Sequence, residues 1–202
     1  MISMTHRCIF VRISKTASTS ILNTFKSQKK SSDIGYFCLK HFSIKHYFDT
    51  YRLYFGDFFK FAFVRNPWDR IFSQYRYLNF VKKHDIANCS YRDWLFKCEE
   101  AMNAPNNYLF GRNRDIFIYH LTNQIEWISL NGEIAVDFVG RFENIEEDFN
   151  KICKHLNVDF NLLHENRSGK PVDYRTVYDD TMKEMVAGWH ARDLEEFGYS
   201  FD

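Results

Sequence analysis

No stretch of this 202-residue chain approaches the ~20 consecutive apolar residues that a membrane-spanning helix requires, so nothing in it reads as a span. The first residues, MISMTHRCIFVRISK, lack an apolar run followed by a small-residue cleavage site, and a cytoplasmic protein without a membrane anchor is expected. Only three prolines occur (Pro67, Pro105 and Pro171), and no Pro-, Gly- or Ser-rich linker or internal repeat divides the chain, so one domain over 1–202 is expected. Cysteine is also scarce: Cys8, Cys38, Cys89, Cys98 and Cys153 form an odd set with no CxxC pair. That pattern speaks against a disulfide framework and a structural zinc site, and for reduced thiols. Charge of one sign is missing too, since the formal net charge is +1. Without a bulk basic field, nucleic acid is not an expected partner, and a polyanionic ligand would need a local cluster of donors.

Aromatic residues are abundant. With 21 Phe and 12 Tyr, the core is expected to be rich in rings. Cys8 to Ile13 reads as a buried strand, a short apolar run that is β-branched in part. A polar stretch follows, then Ile21, Leu22 and Phe25 at helical spacing. Phe59 to Val64 is a second buried strand, after which Asn66 suits an N-cap and Pro67 the first helical position. Ile71, Tyr75 and Leu78 carry that helix onward. Short helices are expected somewhere in 82–122. Asn131-Gly132 suits a tight turn between Trp127-Ile128 and Ile134-Val136, and Val136 to Val139 is a third strand. Glu143 to Leu156 reads as a helix. Met182, Met185, Val186, Trp189 and Phe197 form the apolar face of a single C-terminal helix. Strands alternating with helices predict an α/β fold with a central, mainly parallel sheet flanked by helices.

Two segments carry chemistry. In the first, Ser14-Lys15-Thr16-Ala17-Ser18-Thr19-Ser20 lies between a strand and a helix. Its small residues let the backbone close around a ligand, and successive N–H groups at a helix N-terminus favour negative charge. Lys15 adds a cation, and Thr16, Thr19 and Ser20 add hydroxyls. No glycine precedes Lys15, so this is not the G-x-x-x-x-G-K-[ST] loop of nucleoside-triphosphate enzymes; by itself it is equally a polar turn with an N-cap. In the second, Arg65 follows a strand and so stands where ligands bind in doubly wound sheets. Its guanidinium can grip a phosphate through two hydrogen bonds, or pair with Asp69. Ser73, two turns into the next helix, faces away from the Ile71, Tyr75 and Leu78 stripe.

Together these segments resemble the sulfotransferase superfamily. Arg12 to Ser20 is similar to the 5′-phosphosulfate loop of carbohydrate sulfotransferases, especially the heparan/uronyl 2-O branch. Val64-Arg65-Asn66-Pro67-Trp68-Asp69-Arg70-Ile71-Phe72-Ser73 resembles the family's 3′-phosphate motif. Phe138 to Ile145 with Asp148-Phe149, and the blocks Tyr174 to Asp179 and Asp193 to Phe201, resemble its third strand and its C-terminal end. Many relatives have Gly-Gly or Gly-Ser where this chain has Ala17-Ser18. The resemblance implies a P-loop-like three-layer fold and transfer of a sulfuryl group from 3′-phosphoadenosine 5′-phosphosulfate (PAPS) to an acceptor hydroxyl, that of a saccharide in this branch. It implies in-line displacement without a metal, leaving 3′-phosphoadenosine 5′-phosphate (PAP). Lys15 would stabilise the charge that develops on the bridging oxygen. The N–H groups of Thr16, Ala17, Ser18, Thr19 and Ser20 would hold the 5′-phosphate, and Arg65 with Ser73 the 3′-phosphate. Arg167, Ser168 and Lys170 would fold over the cofactor. His41 resembles the branch's base, although Lys40 replaces a small residue before it and an upstream partner histidine is missing. A pKa near neutrality suits that role, and His46 is its nearest competitor.

Two alternatives belong to other classes. A P-loop-type small-molecule kinase would need a glycine-rich loop, which is absent, and a magnesium-binding aspartate, for which Asp137 is the one weak candidate. A non-catalytic nucleotide-binding module would not need Lys15 or His41. Trp94, Trp127 and Tyr108 suit core packing better than an acceptor cleft.

Overall fold

The computed structural model of the chain describes residues 1–28, 41–81, 89–103, 121–163 and 172–202. They gather into two units, Met1–Arg65 with Gln124–Arg167 and Asn66–Asn123 with Ser168–Asp202.

The first unit is built on a four-stranded sheet. Strands β1 (Ile2–Ser3), β2 (Cys8–Val11) and β3 (Phe59–Val64) are followed by β6 (Phe138–Arg141), in the spatial order β1-β2-β3-β6. β1 is antiparallel to β2, while β2, β3 and β6 are parallel. The registers Phe10↔Phe61 and Phe63↔Gly140 put like faces together. Because side chains alternate across a strand, Cys8, Phe10, Phe59, Phe61, Phe63 and Phe138 share one face. Helices α1 (Ser18–Ser27) and α7 (Ile145–Leu156) cover it with Ile21, Leu22, Phe25, Phe149, Ile152 and Cys153. The rings of Phe10 and Phe61 stack at 4.9 Å. On the opposite face Ile9, Val11, Ala62 and Val64 are fully buried as well. Two-sided burial is why these strands read as continuous apolar runs rather than as alternation.

The unit also holds α2 (Ile44–Thr50), α3 (Arg52–Phe55), α6 (Gln124–Ile128) and a hairpin of β4 (Ser129–Leu130) and β5 (Glu133–Ile134). Asn131 and Gly132, with φ of 53° and 89°, make the two-residue turn expected there. The flanking assignment differs: Trp127 and Ile128 end a helix, and the strand begins only at Ser129. Their side chains are buried, a fate an apolar pair meets in either element. The third strand likewise starts two residues later than expected, at Phe138. Asp137 before it is tied up, accepting the Lys60 backbone N–H at 2.7 Å and pairing with Lys60 Nζ at 2.9 Å.

In the second unit, α4 (Pro67–Val81) and α5 (Tyr91–Asn103) pack with α8 (Asp180–Trp189) and α9 (Ala191–Phe197). Asn66 caps α4, its Oδ1 accepting from the Trp68 N–H at 3.1 Å. The α8–α9 region was expected as one helix and is two. His190 breaks it at φ −115°, ψ 23°, and its fully buried ring lies 3.4 Å from the equally buried Asp193 carboxylate. Trp94 and Trp127 are core residues; Tyr108 lies outside the described residues. Among the described residues, no helix is long and apolar enough to cross a membrane. Cys8, Cys98 and Cys153 are free thiols, and burial pushes the Cys8 thiol up to about 12; Cys38 lies outside the described residues.

Gly140 has no room for a side chain, since a Cβ there would lie 2.6–2.9 Å from three ring carbons of Phe63. Gly140→Ala is expected to destabilise the protein by about 1–3 kcal/mol, the cost of overpacking a filled core. Urea unfolding measures it, and an unchanged midpoint would mean that the Phe63 ring moves aside without cost.

Candidate functional site

The loop between β2 and α1 has an unusual backbone. Lys15 (φ 65°) and Ala17 (φ 56°) are both left-handed, and Thr16 between them is not. Each left-handed non-glycine residue costs about 1–3 kcal/mol and persists only where its surroundings enforce it. Alternation of this kind turns successive N–H groups toward one concavity, which suits an anion. The first bond of α1 runs from the Ile21 N–H to the Ala17 carbonyl at 3.2 Å. The N–H groups of Ser18, Thr19 and Ser20 therefore precede the helical ladder. No acidic side chain occupies that turn, so the helix dipole keeps its positive end. Thr16 is fully buried and its hydroxyl donates to the Ile13 carbonyl at 3.0 Å. The expected hydroxyl donor thus braces the loop, and its backbone N–H is what it offers a ligand.

Arg65 comes to the same place. It directly follows β3, whose partner β2 ends at the loop. One guanidinium nitrogen, Nη1, donates to the Lys15 carbonyl at 3.1 Å, and the guanidinium carbon lies 3.9 Å from the centroid of the Phe142 ring. Gln124, fully buried at the start of α6, holds the Arg65 backbone at both ends: its Oε1 accepts the N–H at 2.9 Å and its Nε2 donates to the carbonyl at 2.8 Å. Burial first, and then the Arg65 charge, bring the Lys15 ammonium down to about 8. Two cations are thus held beside each other in a partly desolvated loop, the electrostatic condition that a polyanion relieves.

His41 is the third member. Its Nδ1 lies 2.7 Å from the Arg12 carbonyl. A carbonyl only accepts, so Nδ1 carries the proton and the lone pair of the neutral ring is on Nε2. Burial lowers its pKa below the usual imidazole value; the charges of Arg12 and Lys15 act the same way, against the raising effect of the hydrogen bond. The ring is therefore neutral at pH 7, as a general base must be. His46 differs, its ring stacked on Phe42 with centroids 3.7 Å apart.

The profile of the Sulfotransferase family matches residues 1–200. The chain belongs to the sulfotransferase family. An uncharacterized protein of Archaeoglobus fulgidus is 27% identical over 128 residues, 61% of this chain and 88% of its own length. Among solved structures, a sulfotransferase from Alicyclobacillus acidocaldarius is a loose likeness at a TM-score of 0.46 and 18% identity, covering 95% of this chain and 96% of that one.

In this sulfotransferase, Lys15, Thr16, Ala17, Ser18, Thr19, Ser20, His41 and Arg65 all stand in the first unit, at or near the carboxyl ends of the parallel strands. Ser73 is half-buried on α4 in the second unit. Arg167, Ser168 and Lys170 lie outside the described residues. Asp137, the one candidate for a kinase's magnesium ligand, precedes β6 and so stands at the opposite end of the sheet, paired with Lys60. Arg12, Gln124 and Phe142 are additions that sequence reasoning missed. Arg12 and Phe142 both lay within blocks already similar to the family. Nothing local marks Gln124, whose role exists only once α6 meets the end of β3.

Two expectations follow from the loop. Ala17→Gly should be neutral or stabilise by up to about 1 kcal/mol, because the left-handed penalty is removed while the unfolded chain gains freedom. Ala17→Val, a β-branched residue at positive φ, should cost about 1–3 kcal/mol; a thermal midpoint equal to wild type would contradict the loop geometry. Anion affinity should fall as pH rises through about 8, where Lys15 loses its proton. Binding at that pH should take up a proton, since an anion favours the ammonium. Calorimetry of PAP binding at pH 8 in two buffers of different ionisation enthalpy reads this directly, and Lys15→Met should abolish the uptake.

Proposed function

We propose that the chain transfers a sulfuryl group from PAPS to a hydroxyl of a saccharide, with His41 as general base. The observation that carries this proposal is the hydrogen bond from Arg65 Nη1 to the Lys15 carbonyl. It joins two anion grips, one made of backbone N–H groups with an ammonium, the other a guanidinium. A ligand with phosphates at both the 5′ and 3′ positions matches that pair, and the mutual repulsion of Lys15 and Arg65 is what its negative charge relieves. The resemblance of Arg12 to Ser20 to the 2-O branch supports a saccharide acceptor.

When bound, the donor supplies a sulfuryl group activated by its bond to the 5′-phosphate. The chain's own residues do the rest. N–H groups from Thr16 to Ser20 orient the 5′-phosphate, and the Lys15 ammonium meets the charge that grows on that phosphate as the bond to sulfur breaks. Arg65 holds the 3′-phosphate and so fixes the register of the donor in the loop. His41 Nε2 accepts the proton of the acceptor hydroxyl as its oxygen attacks. The Nδ1–H bond to Arg12 holds the ring in the tautomer that this requires. The charges of Arg12 and Lys15 then favour return of that proton to solvent.

Transfer of labelled sulfate from PAPS to a panel of saccharides, with simple phenols as controls, tests the reading. His41→Ala should lower kcat by about 10²–10⁴-fold while PAP affinity stays within about twofold of wild type. Lys15→Ala and Arg65→Ala should each weaken PAP binding by about 1.5–3 kcal/mol. A parallel fall in affinity and rate for His41→Ala would make that histidine structural, and transfer to phenols alone would remove the saccharide.

A further inference from the structure

Arg65 stands one residue beyond the sheet. The β3–β6 ladder ends at the pair Val64↔Arg141, after which β6 gives way to the 3₁₀ turn Phe142–Asn144. Odd-numbered residues of β3 point their N–H and carbonyl toward β2, as Phe59 does in donating to the Arg7 carbonyl, and that ladder ends earlier still, at Val11↔Ala62, so the sheet pairing on that side stops short of Arg65. Gln124 pairs with the Arg65 backbone. Its amide presents an acceptor and a donor side by side, and both are used on this one residue, at 2.9 and 2.8 Å. The pairing is the one an adjacent strand would make, delivered by a side chain on α6 that is fully buried. Beyond the backbone, Phe142 lies against the guanidinium and the Lys15 carbonyl accepts from Nη1. Backbone and side chain of Arg65 are therefore fixed by separate groups, and the backbone half depends on Gln124.

We propose that Gln124 is a positioning residue for donor selection: its amide clamp aims the Arg65 guanidinium, and thereby sets the preference for a nucleotide with a 3′-phosphate over one without. This rests on the proposed function, in which Arg65 holds that phosphate. Gln124 acts through Arg65, because both ends of its amide are used on that residue's backbone. The residue type fits the task. Asn is one methylene shorter and cannot reach both groups, and Glu would set an acceptor against the Arg65 carbonyl.

The test is calorimetry of the full chain, wild type and Gln124→Met, with PAP and with ADP, alongside the donor KM and kcat. Met keeps the volume and removes both hydrogen bonds. PAP affinity should fall by about 10- to 100-fold, the effect of releasing a charged phosphate contact from its aim. ADP, which has no 3′-phosphate, should change by less than about threefold. Donor KM should rise while kcat holds. Gln124→Asn should lose part of the same selectivity, and it serves as the test if Gln124→Met does not fold. Equal weakening of PAP and ADP, or unchanged selectivity in either variant, would make Gln124 a packing residue and overturn the proposal. A wild-type protein that does not prefer PAP to ADP would instead overturn the proposed function, before any variant is considered.

Discussion

Two positive charges brought together at one end of a buried sheet are the constraint on which the rest of this structure depends. Lys15 and Arg65 repel each other, and burial denies both the full relief of water, so Lys15 holds its proton more weakly than a lysine ordinarily does. A fold gains no stability from such an arrangement. It persists because elements around it are over-determined: the loop between its strand and helix, and Arg65 between a hydrogen-bonding glutamine and an aromatic ring. The surplus charge becomes useful only toward a polyanion. The proposed donor, with its two separated phosphates, meets that condition.

The supporting energy lies at the other end of the chain of causes. The parallel registers of β2, β3 and β6 align the ends of three strands, and they are held by a face of phenylalanines under α1 and α7. Gly140 lets the Phe63 ring lie flat against β6. Asp148, largely buried on α7, accepts the Arg141 N–H at 2.8 Å and ties the end of β6 to the helix that follows. In this way an apolar core places polar groups at its rim to within hydrogen-bonding distance. The left-handed Lys15 and Ala17 are strain that this core can carry.

The parts of the fold legible in the sequence were those governed by local rules. Phe59 to Val64 matched because a buried parallel strand is an uninterrupted apolar run. Asn66-Pro67 announced a helix start, and Asn131-Gly132 a tight turn, because each sequence suits one backbone geometry. Trp127-Ile128 misled because burial alone does not distinguish a strand from the end of a helix. His190 broke a helix whose apolar periodicity ran straight through it, because a change of one residue's backbone to φ −115°, ψ 23° leaves no mark on the spacing of apolar side chains. In the site, Lys15 and Arg65 stood out by charge at a strand end. Their meeting, the Arg12 carbonyl that selects the His41 tautomer and the Gln124 clamp are long-range contacts with no local signature.

The central claim is that one ligand occupies both grips. A crystal structure of the chain with PAP tests it most directly. The account predicts the 5′-phosphate within hydrogen-bonding distance of the N–H groups of Thr16 to Ser20, and the 3′-phosphate on the Arg65 guanidinium. PAP bound away from the loop, or bound in the loop with its 3′-phosphate directed away from Arg65, would contradict it.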